Sequence, residues 1–250
     1  MCWSGEASGA LAAIGIGTTV YAAFKKEATP LWLALGYFSL MELLQALTYT
    51  VIDLCGVPLN QVLTLLGYVH IAFQPFFVNA LSMYFIPKEV ASRIAPWVYA
   101  LCFVSAIVML IQLYPFDWTE PCRAGYPLCG QQLCSVSGNW HIAWEIPFNS
   151  FREFFYGIPI VLDFFPTYIL MVFIVPVLYG SWRITVYHLL CGPLLALALT
   201  QNPNEWPAVW CLLSIGILLI MVKTPLRQIL FVRRWWAWKM LGGRVKLAPA

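Results

Sequence analysis

Residues 30–52 read PLWLALGYFSLMELLQALTYTVI, an apolar run in which Glu42 is the only charged side chain. Such a run crosses a bilayer as a helix, which needs about 20 residues. The 250-residue chain is 61% hydrophobic and 10% charged, against about a quarter charged in soluble domains. Six more runs follow the same pattern, at residues 7–24, 59–86, 94–114, 160–182, 184–201 and 207–226. The sequence therefore predicts an all-α, polytopic membrane protein in which residues 1–250 form a single domain of seven transmembrane helices.

The basic residues predict how this bundle is oriented. Of the 14 lysines and arginines, all but Arg123 and Arg152 fall at one side of the predicted spans. The positive-inside rule makes that side cytoplasmic and puts the N-terminus outside and the C-terminus inside. Because the charge is sorted by side, the net charge of +3 gives no reason to expect a nucleic-acid partner.

The long connection at residues 115–159 is predicted to be an outer loop. Three of its cysteines lie close together, and an oxidising compartment favours one disulfide, joining Cys122 to either Cys129 or Cys134. Within the loop, GNWHIAWEIPFN at residues 138–149 predicts a short interfacial helix, with Asn139 as its N-cap. We expect this helix to lie across the outer mouth of the bundle.

The C-terminal segment, residues 227–250, combines arginines with tryptophans in RRWWAWK. This composition is typical of an interfacial segment on an anionic cytoplasmic leaflet. The predicted partners are therefore the bilayer and its anionic lipids. Gly5, Gly9, Ala13 and Gly17 are spaced four apart, which predicts a close helix contact inside the bundle or with another subunit.

Polar residues within the spans are costly and by default mark function. Glu42, Gln45, Tyr49 and Asp53 fall within about 80° of one another on a helix. Span 3 carries His70 near the same depth as Glu42, so the two side chains are predicted to meet near the midplane and act as a catalytic pair. The residues expected to line an outer cavity above them are Gln45, Tyr49, Asp53, Gln74 and Asp163.

His141 and Glu145 are four residues apart, so a helix would project both from one face. Together with His70 or Glu42 they would form a mixed nitrogen and oxygen site suited to zinc, iron or copper. The alternative is a hydrogen-bonded plug over the cavity. His188 lies too far toward the cytoplasm to join them and is expected to be an interfacial histidine.

The order of landmarks in the chain resembles that of an uncharacterised bacterial family of seven-helix inner-membrane proteins. The landmarks are MCWSGEAS, MELLQALTYTVID, GYVHIAFQPFF, CSVSGNWHIAWE, YGSWRITVYHLLCGP and NPNEWPAVWCLLSIG. The resemblance implies a multi-pass protein of the bacterial inner membrane and carries no activity with it.

Two better-understood seven-helix families fit poorly. The alkaline ceramidase-like hydrolases have a histidine pair opening their last span, and the corresponding span here has no histidine. Microbial rhodopsins need a lysine near the middle of that span, whereas Lys223 lies at its end.

Three classes of function follow from these patterns. The first is binding or catalysis in the outer cavity, with Glu42 or His70 as general base and a transition metal as cofactor. The second is a small-solute or proton-coupled transporter in which the same two residues relay protons. The third is an accessory subunit, in a homo-oligomer or a larger membrane complex, with the Gly5–Gly17 face as its contact.

Overall fold

A computed structural model of the chain describes residues 3–151 and 165–241. Its first half consists of four long helices in sequence, each packed against the next. They are α1 (Gly5–Phe24), α2 (Thr29–Thr48), α3 (Pro58–Tyr84) and α4 (Lys88–Leu110), and short 3-10 turns extend α2 through Tyr49–Val51 and α4 through Ile111–Leu113. Helix α2 also packs against α9, described below, which makes it a central element of the bundle.

The second half of the bundle is interrupted more often. Its helices are α5 (Pro166–Ile169), α6 (Val175–Leu178), α7 (Trp182–Cys191), α8 (Pro193–Leu199), α9 (Trp206–Lys223) and α10 (Leu226–Leu230). A π-helical turn, Leu170–Ile174, joins α5 to α6, and a 3-10 turn, Trp236–Leu241, ends the described chain. The break between α7 and α8 falls at Gly192, where a Cβ would lie 2.7 Å from both the His188 carbonyl oxygen and the Trp210 Nε1.

Five of these helical segments are long and apolar enough to cross a membrane. They are Gly5–Phe24, Thr29–Val51, Pro58–Tyr84, Lys88–Leu113 and Trp182–Leu199. Two further apolar helices are shorter, Pro166–Leu178 and Trp206–Leu219. The mostly helical fold and these five helices agree with the sequence prediction. The predicted fifth run begins at residue 160, outside the described residues.

Helix α1 lies unusually close to α2 because small residues line the contact. A Cβ at Gly5 would lie 2.8 Å from the Tyr49 Cβ, and one at Gly15 would lie 2.1 Å from the Ser39 Oγ. The predicted stripe of small residues is only partly right, since Ala13 and Gly17 are exposed. Positions four apart drift by 40° per step on a helix, so the buried stripe follows Ser8, Ala12, Gly15 and Ala22 instead.

The predicted interfacial helix in the outer loop is wrong. Strands β1 (Cys134–Ser137) and β2 (Ile142–Glu145) form an antiparallel hairpin, with Cys134 opposite Glu145 and Ser137 opposite Ile142. A helix this short is marginal without tertiary support. The hairpin instead pairs its own backbone groups and exchanges further contacts with the bundle. We call residues 134–145 the lid.

Candidate functional site

One end of the lid is fastened to the start of α3. A disulfide joins Cys55 to Cys134. The buried amide of Asn60 binds both backbone groups of Ser135, accepting from its N–H at 2.9 Å and donating to its carbonyl at 2.9 Å. The Thr64 and Ser135 hydroxyls are 2.7 Å apart. The first strand is therefore fixed covalently and by three hydrogen bonds with side chains of α3.

The turn of the lid is held by the connection between α8 and α9. The buried Glu205 carboxylate accepts hydrogen bonds from the backbone N–H groups of Asn139 and Trp140, the latter at 3.0 Å. The N–H of Trp144 donates to the Asn204 carbonyl at 3.1 Å. Asn139 thus gives its N–H to Glu205 and does not cap a helix.

Asp53, predicted to line the cavity, contacts the outer edge of the lid. Its backbone has a φ of 65°, and its carboxylate accepts from the Ser137 N–H at 2.7 Å and from the Ser137 hydroxyl at 2.5 Å. In this position the carboxylate clamps the hairpin.

Two polar side chains of α2 lie beneath the lid without hydrogen bonds. Glu42 and Gln45 are 0% and 1% exposed. Neither carboxylate oxygen of Glu42 and neither polar atom of the Gln45 amide has a hydrogen-bond partner among the described residues. The hydroxyl of Ser8, on α1, faces the Glu42 carboxyl.

His141 closes this group from the lid side. Its Nδ1 accepts from the Ile142 N–H at 2.8 Å and lies 3.1 Å from the Tyr49 hydroxyl, one helical turn beyond Gln45. Burial lowers the pKa of the imidazole to about 3, so it is neutral at pH 7. Because Nδ1 is the acceptor, the proton lies on Nε2, which is buried and has no partner among the described residues.

Trp3 completes the enclosure at the N-terminal end of α1. Its indole Nε1 donates to the Ser8 hydroxyl at 2.8 Å, and its backbone N–H donates to the Trp140 carbonyl at 3.0 Å. Its ring stacks on that of Trp140 with 6.4 Å between centroids. The side chains of Ser8, Glu42, Gln45, Tyr49 and His141 form what we call the polar site, enclosed by α1, α2 and the lid.

The predicted pairing of Glu42 with His70 is not made. Both oxygens of Glu42 lack hydrogen-bond partners among the described residues. The His70 ring instead stacks on Tyr37 with 3.8 Å between centroids, and its backbone carbonyl accepts from the Tyr37 hydroxyl at 2.6 Å. The His70 Nε2 is buried and unpartnered within the described chain.

Gln74 is part of a separate set of contacts that holds the bundle together. It donates to the Cys211 sulfur at 3.0 Å and accepts from the Tyr168 hydroxyl at 2.6 Å. This bridges α3, α5 and α9. Asp163 lies outside the described residues.

The predicted metal ligands His70, His141 and Glu145 do not assemble. Among residues 3–151 and 165–241, no group of three or more His, Cys, Asp or Glu side chains lies close enough to hold a metal ion. Glu145 is at the far end of β2. It packs so closely against Gly130 that a Cβ on Gly130 would overlap the Cβ of Glu145. Coordination through the His141 Nε2 would also need a lone pair on the nitrogen that here carries the proton.

One disulfide has one of the two expected pairings, and a second disulfide was not expected. Cys122 is joined to Cys129, and Cys134 is joined to Cys55. Sequence reasoning missed Cys55 as a partner because 79 residues separate it from Cys134.

Four polar residues of the lid contacts were not predicted as site residues: Ser8, Asn60, Thr64 and Glu205. Ser8, Asn60 and Thr64 lie in the first two turns of α1 and α3, and Glu205 directly precedes α9. That position was the available signal, and Glu205 in addition is a charged residue between two apolar runs.

Comparison with known proteins gives a family without a known activity. The model of a family of unknown function, DUF5765, matches residues 6–231. No curated protein and no solved structure matches the chain significantly.

Proposed function

The chain belongs to the DUF5765 family, whose function is unknown, and we propose that it is an integral membrane protein that binds a small polar ligand in the polar site. The proposal includes seven membrane crossings in a bacterial inner membrane, with the lid on the periplasmic side and the C-terminus in the cytoplasm.

Two features at opposite ends of the bundle support this orientation. Both disulfides lie at the lid end, and disulfides form in oxidising compartments such as the periplasm. At the other end, Arg227 of α10 forms an ion pair with Glu27 in the turn after α1, with 2.7 Å between Nη1 and Oε2. The basic residues that predict the cytoplasmic side lie at this end.

The observation that carries the ligand proposal is the set of unsatisfied atoms under the lid. Both polar atoms of the Gln45 amide and the Nε2 of His141 are buried without hydrogen-bond partners in the described chain, and the buried Glu42 carboxyl faces only the Ser8 hydroxyl. Each such group costs about 1–3 kcal/mol when left unpaired. Native proteins satisfy nearly all buried polar groups, so a partner from outside the chain accounts for this concentration.

The hydrogen-bonding capacity of the polar site defines the ligand's chemistry. His141 offers an N–H donor, the Gln45 amide offers donors and an acceptor, and Glu42 offers a carboxyl group. The complementary ligand is a small solute that carries hydrogen-bond acceptors as well as donors. The lid must move for this ligand to enter, because the contacts of the lid with α3, with Asp53 and with the α8–α9 connection hold it over the polar site.

Native mass spectrometry of the protein, purified in mild detergent, tests this proposal. The wild type should retain a noncovalent adduct that Gln45→Leu and His141→Phe lose. Gln61→Leu is the matched control, because Gln61 is an exposed amide at the start of α3, at the same end of the bundle. An adduct retained equally by all four proteins, or no adduct on the wild type, would contradict the proposal.

Proton-coupled transport is a second candidate, and polar contacts in the inner half of the bundle favour it. The Tyr179 hydroxyl donates to the Asn79 side chain at 3.0 Å, and the Trp210 Nε1 donates to the His188 Nε2 at 2.9 Å. A cavity of ≈ 20 Å³ beside them is lined in part by Ser82, His188 and Ser214. This volume holds about one water molecule. Together with these contacts, it extends the series of polar groups from Glu42 toward the end of the bundle opposite the lid.

Proteoliposomes loaded with a pH-sensitive dye would test transport. An acid-driven proton influx that is present in the wild type and lost in Glu42→Gln supports it, whereas equal, background-level influx in both rules it out. The accessory-subunit alternative keeps part of its expected contact surface, since Gly5 packs on α2 of the same chain whereas Ala13 and Gly17 are exposed.

A further inference from the structure

The chain after α10 is held against the end of the bundle opposite the lid. The N–H of Val232 donates to the carbonyl of Phe85, which directly follows α3, at 2.8 Å. Arg183, at the start of α7, donates through Nη1 to the Ile229 carbonyl at 2.8 Å and to the Phe231 carbonyl at 3.4 Å. These bonds satisfy carbonyl groups at the end of α10 and fix the segment that follows it.

A polar pocket lies where this segment meets α3 and α10. Its volume is ≈ 300 Å³, at the lower end of the range of roughly 300–1,000 Å³ typical of small-molecule sites. The residues that line it are Tyr84, Arg227, Gln228, Phe231 and Arg233. All but the phenylalanine carry hydrogen-bond donors, two are cationic and none is a carboxylate. This lining has the chemistry of an anion site.

The two arginines of the pocket differ in how they are paired. Arg227 forms the ion pair with Glu27, which uses Nη1 and holds the guanidinium beside the turn after α1. Arg233 is exposed and makes neither a hydrogen bond nor an ion pair with any residue that the structure describes. Two positive charges therefore share the pocket while one carboxylate pairs with them. The guanidinium of Arg183, bonded to the Phe231 carbonyl, adds a third positive charge at its edge.

We infer that this pocket binds a phosphate group, carried either by a phospholipid headgroup or by a soluble phosphorylated compound. The planar fork of N–H groups in arginine matches two oxygens of a phosphate. The Tyr84 hydroxyl and the Gln228 amide make no hydrogen bonds within the described chain and can donate to the remaining oxygens. Such an anion would also offset the charge of Arg233. The inference is independent of the ligand under the lid.

Two pairs of probes, each differing by a phosphate group, test this site on the full chain in mild detergent. Native mass spectrometry compares dioleoyl phosphatidic acid with dioleoylglycerol, and isothermal titration calorimetry compares glycerol 3-phosphate with glycerol. At least one phosphorylated probe should bind about tenfold more tightly than its phosphate-free counterpart, because it forms charge-assisted hydrogen bonds. A preference seen only with phosphatidic acid assigns the pocket to a lipid headgroup, and one seen with glycerol 3-phosphate assigns it to a soluble compound.

Arg233→Gln tests the arginine that lacks a partner, and Arg234→Gln is its matched control. Arg234 is the next residue in the chain, is also exposed and does not line the pocket. Arg233→Gln should weaken binding of the phosphorylated probe about tenfold. Arg234→Gln should change it by less than about twofold, because solvent and salt screen a charge that makes no contact. Tyr84→Phe removes one hydroxyl donor and should weaken binding about fivefold.

Equal affinity for both members of each pair of probes would overturn the inference. So would an Arg233→Gln variant that binds the phosphorylated probe as tightly as Arg234→Gln does. The thermal midpoint of Arg233→Gln without a probe should equal that of the wild type, which separates loss of binding from loss of folding. Glu42→Gln should leave binding of all four probes unchanged, so failure of the polar site would not be mistaken for failure of this one.

Discussion

At the scale of single residues, neighbouring polar groups at the lid end of the bundle differ in whether they have hydrogen-bond partners. Asp53 and Glu205 each accept two hydrogen bonds from the lid. Glu42 and Gln45, just beneath, have none within the described chain. The two carboxylates that accept hydrogen bonds from the lid stabilise it, and Glu42 and Gln45 are the groups assigned to the proposed ligand.

The buried His141 predicts a specific pH dependence of stability. Its pKa is about 3 when folded and near its ordinary 6.5 when unfolded, so between these values the unfolded chain binds a proton that the folded chain does not. Stability is therefore lost as the pH falls from 6.5 toward 3, with a slope of up to about 1.4 kcal/mol per pH unit from this residue. Thermal unfolding of the detergent-solubilised protein between pH 7 and pH 4 measures it.

His141→Asn supplies the comparison, because an amide oxygen can still accept the Ile142 N–H while the titrating group is gone. The variant should lose less stability than the wild type over this pH range. Identical slopes for both proteins would show that His141 is not buried in its neutral form.

Glu205 predicts local opening of the lid turn. In Glu205→Ala the N–H groups of Asn139 and Trp140 lose a charged acceptor, and such bonds contribute about 1.5–3 kcal/mol each. Their hydrogen exchange should become at least about tenfold faster. Glu120→Ala is the control, because Glu120 is exposed and lies in the same connection as Asn139 and Trp140. This variant should leave the exchange rates of both amides as slow as in the wild type.

At the scale of elements, the two disulfides contribute unequally to stability. The bridge from Cys55 to Cys134 spans 79 residues, and the one from Cys122 to Cys129 spans 7. Chain-entropy estimates give about 4.5 and about 2.4 kcal/mol. Replacing the first pair by serine should therefore lower the thermal midpoint more than replacing the second, and the reverse order would contradict the role assigned to the lid.

The sequence predicts some elements well and others poorly, for physical reasons. Helix periodicity placed Glu42, Gln45 and Tyr49 on one face, because that face depends only on local geometry. The same reasoning failed for residues 138–149. Four residues of strand carry too little periodicity to be distinguished from a helical turn, and the hairpin depends on contacts with distant residues such as Asn60 and Glu205.

The partner of Cys134 and the separation of His70 from Glu42 also depend on long-range packing. A shared depth along two helices does not fix how each helix is rotated. Tyr37, one of several aromatic residues on α2, stacks on His70.

At the scale of the whole molecule, the proposed topology predicts which ends are accessible from each side. Gly56 lies in the turn before α3, at the lid end, and Ser92 lies near the start of α4, at the opposite end; both are exposed. Each is replaced by cysteine in a separate variant, Gly56→Cys and Ser92→Cys. In intact spheroplasts a membrane-impermeant maleimide should label the first and not the second. Labelling of both without lysis, or of Ser92→Cys alone, would contradict the orientation.

The central claim, a ligand held by Glu42, Gln45 and His141 beneath the lid, is tested most directly by an experimental density map of the wild-type protein. The proposed ligand predicts density larger than a water molecule, with atoms about 2.7–3.2 Å from at least two of these side chains. Direct hydrogen bonds among the three side chains, with no density between them, would contradict it.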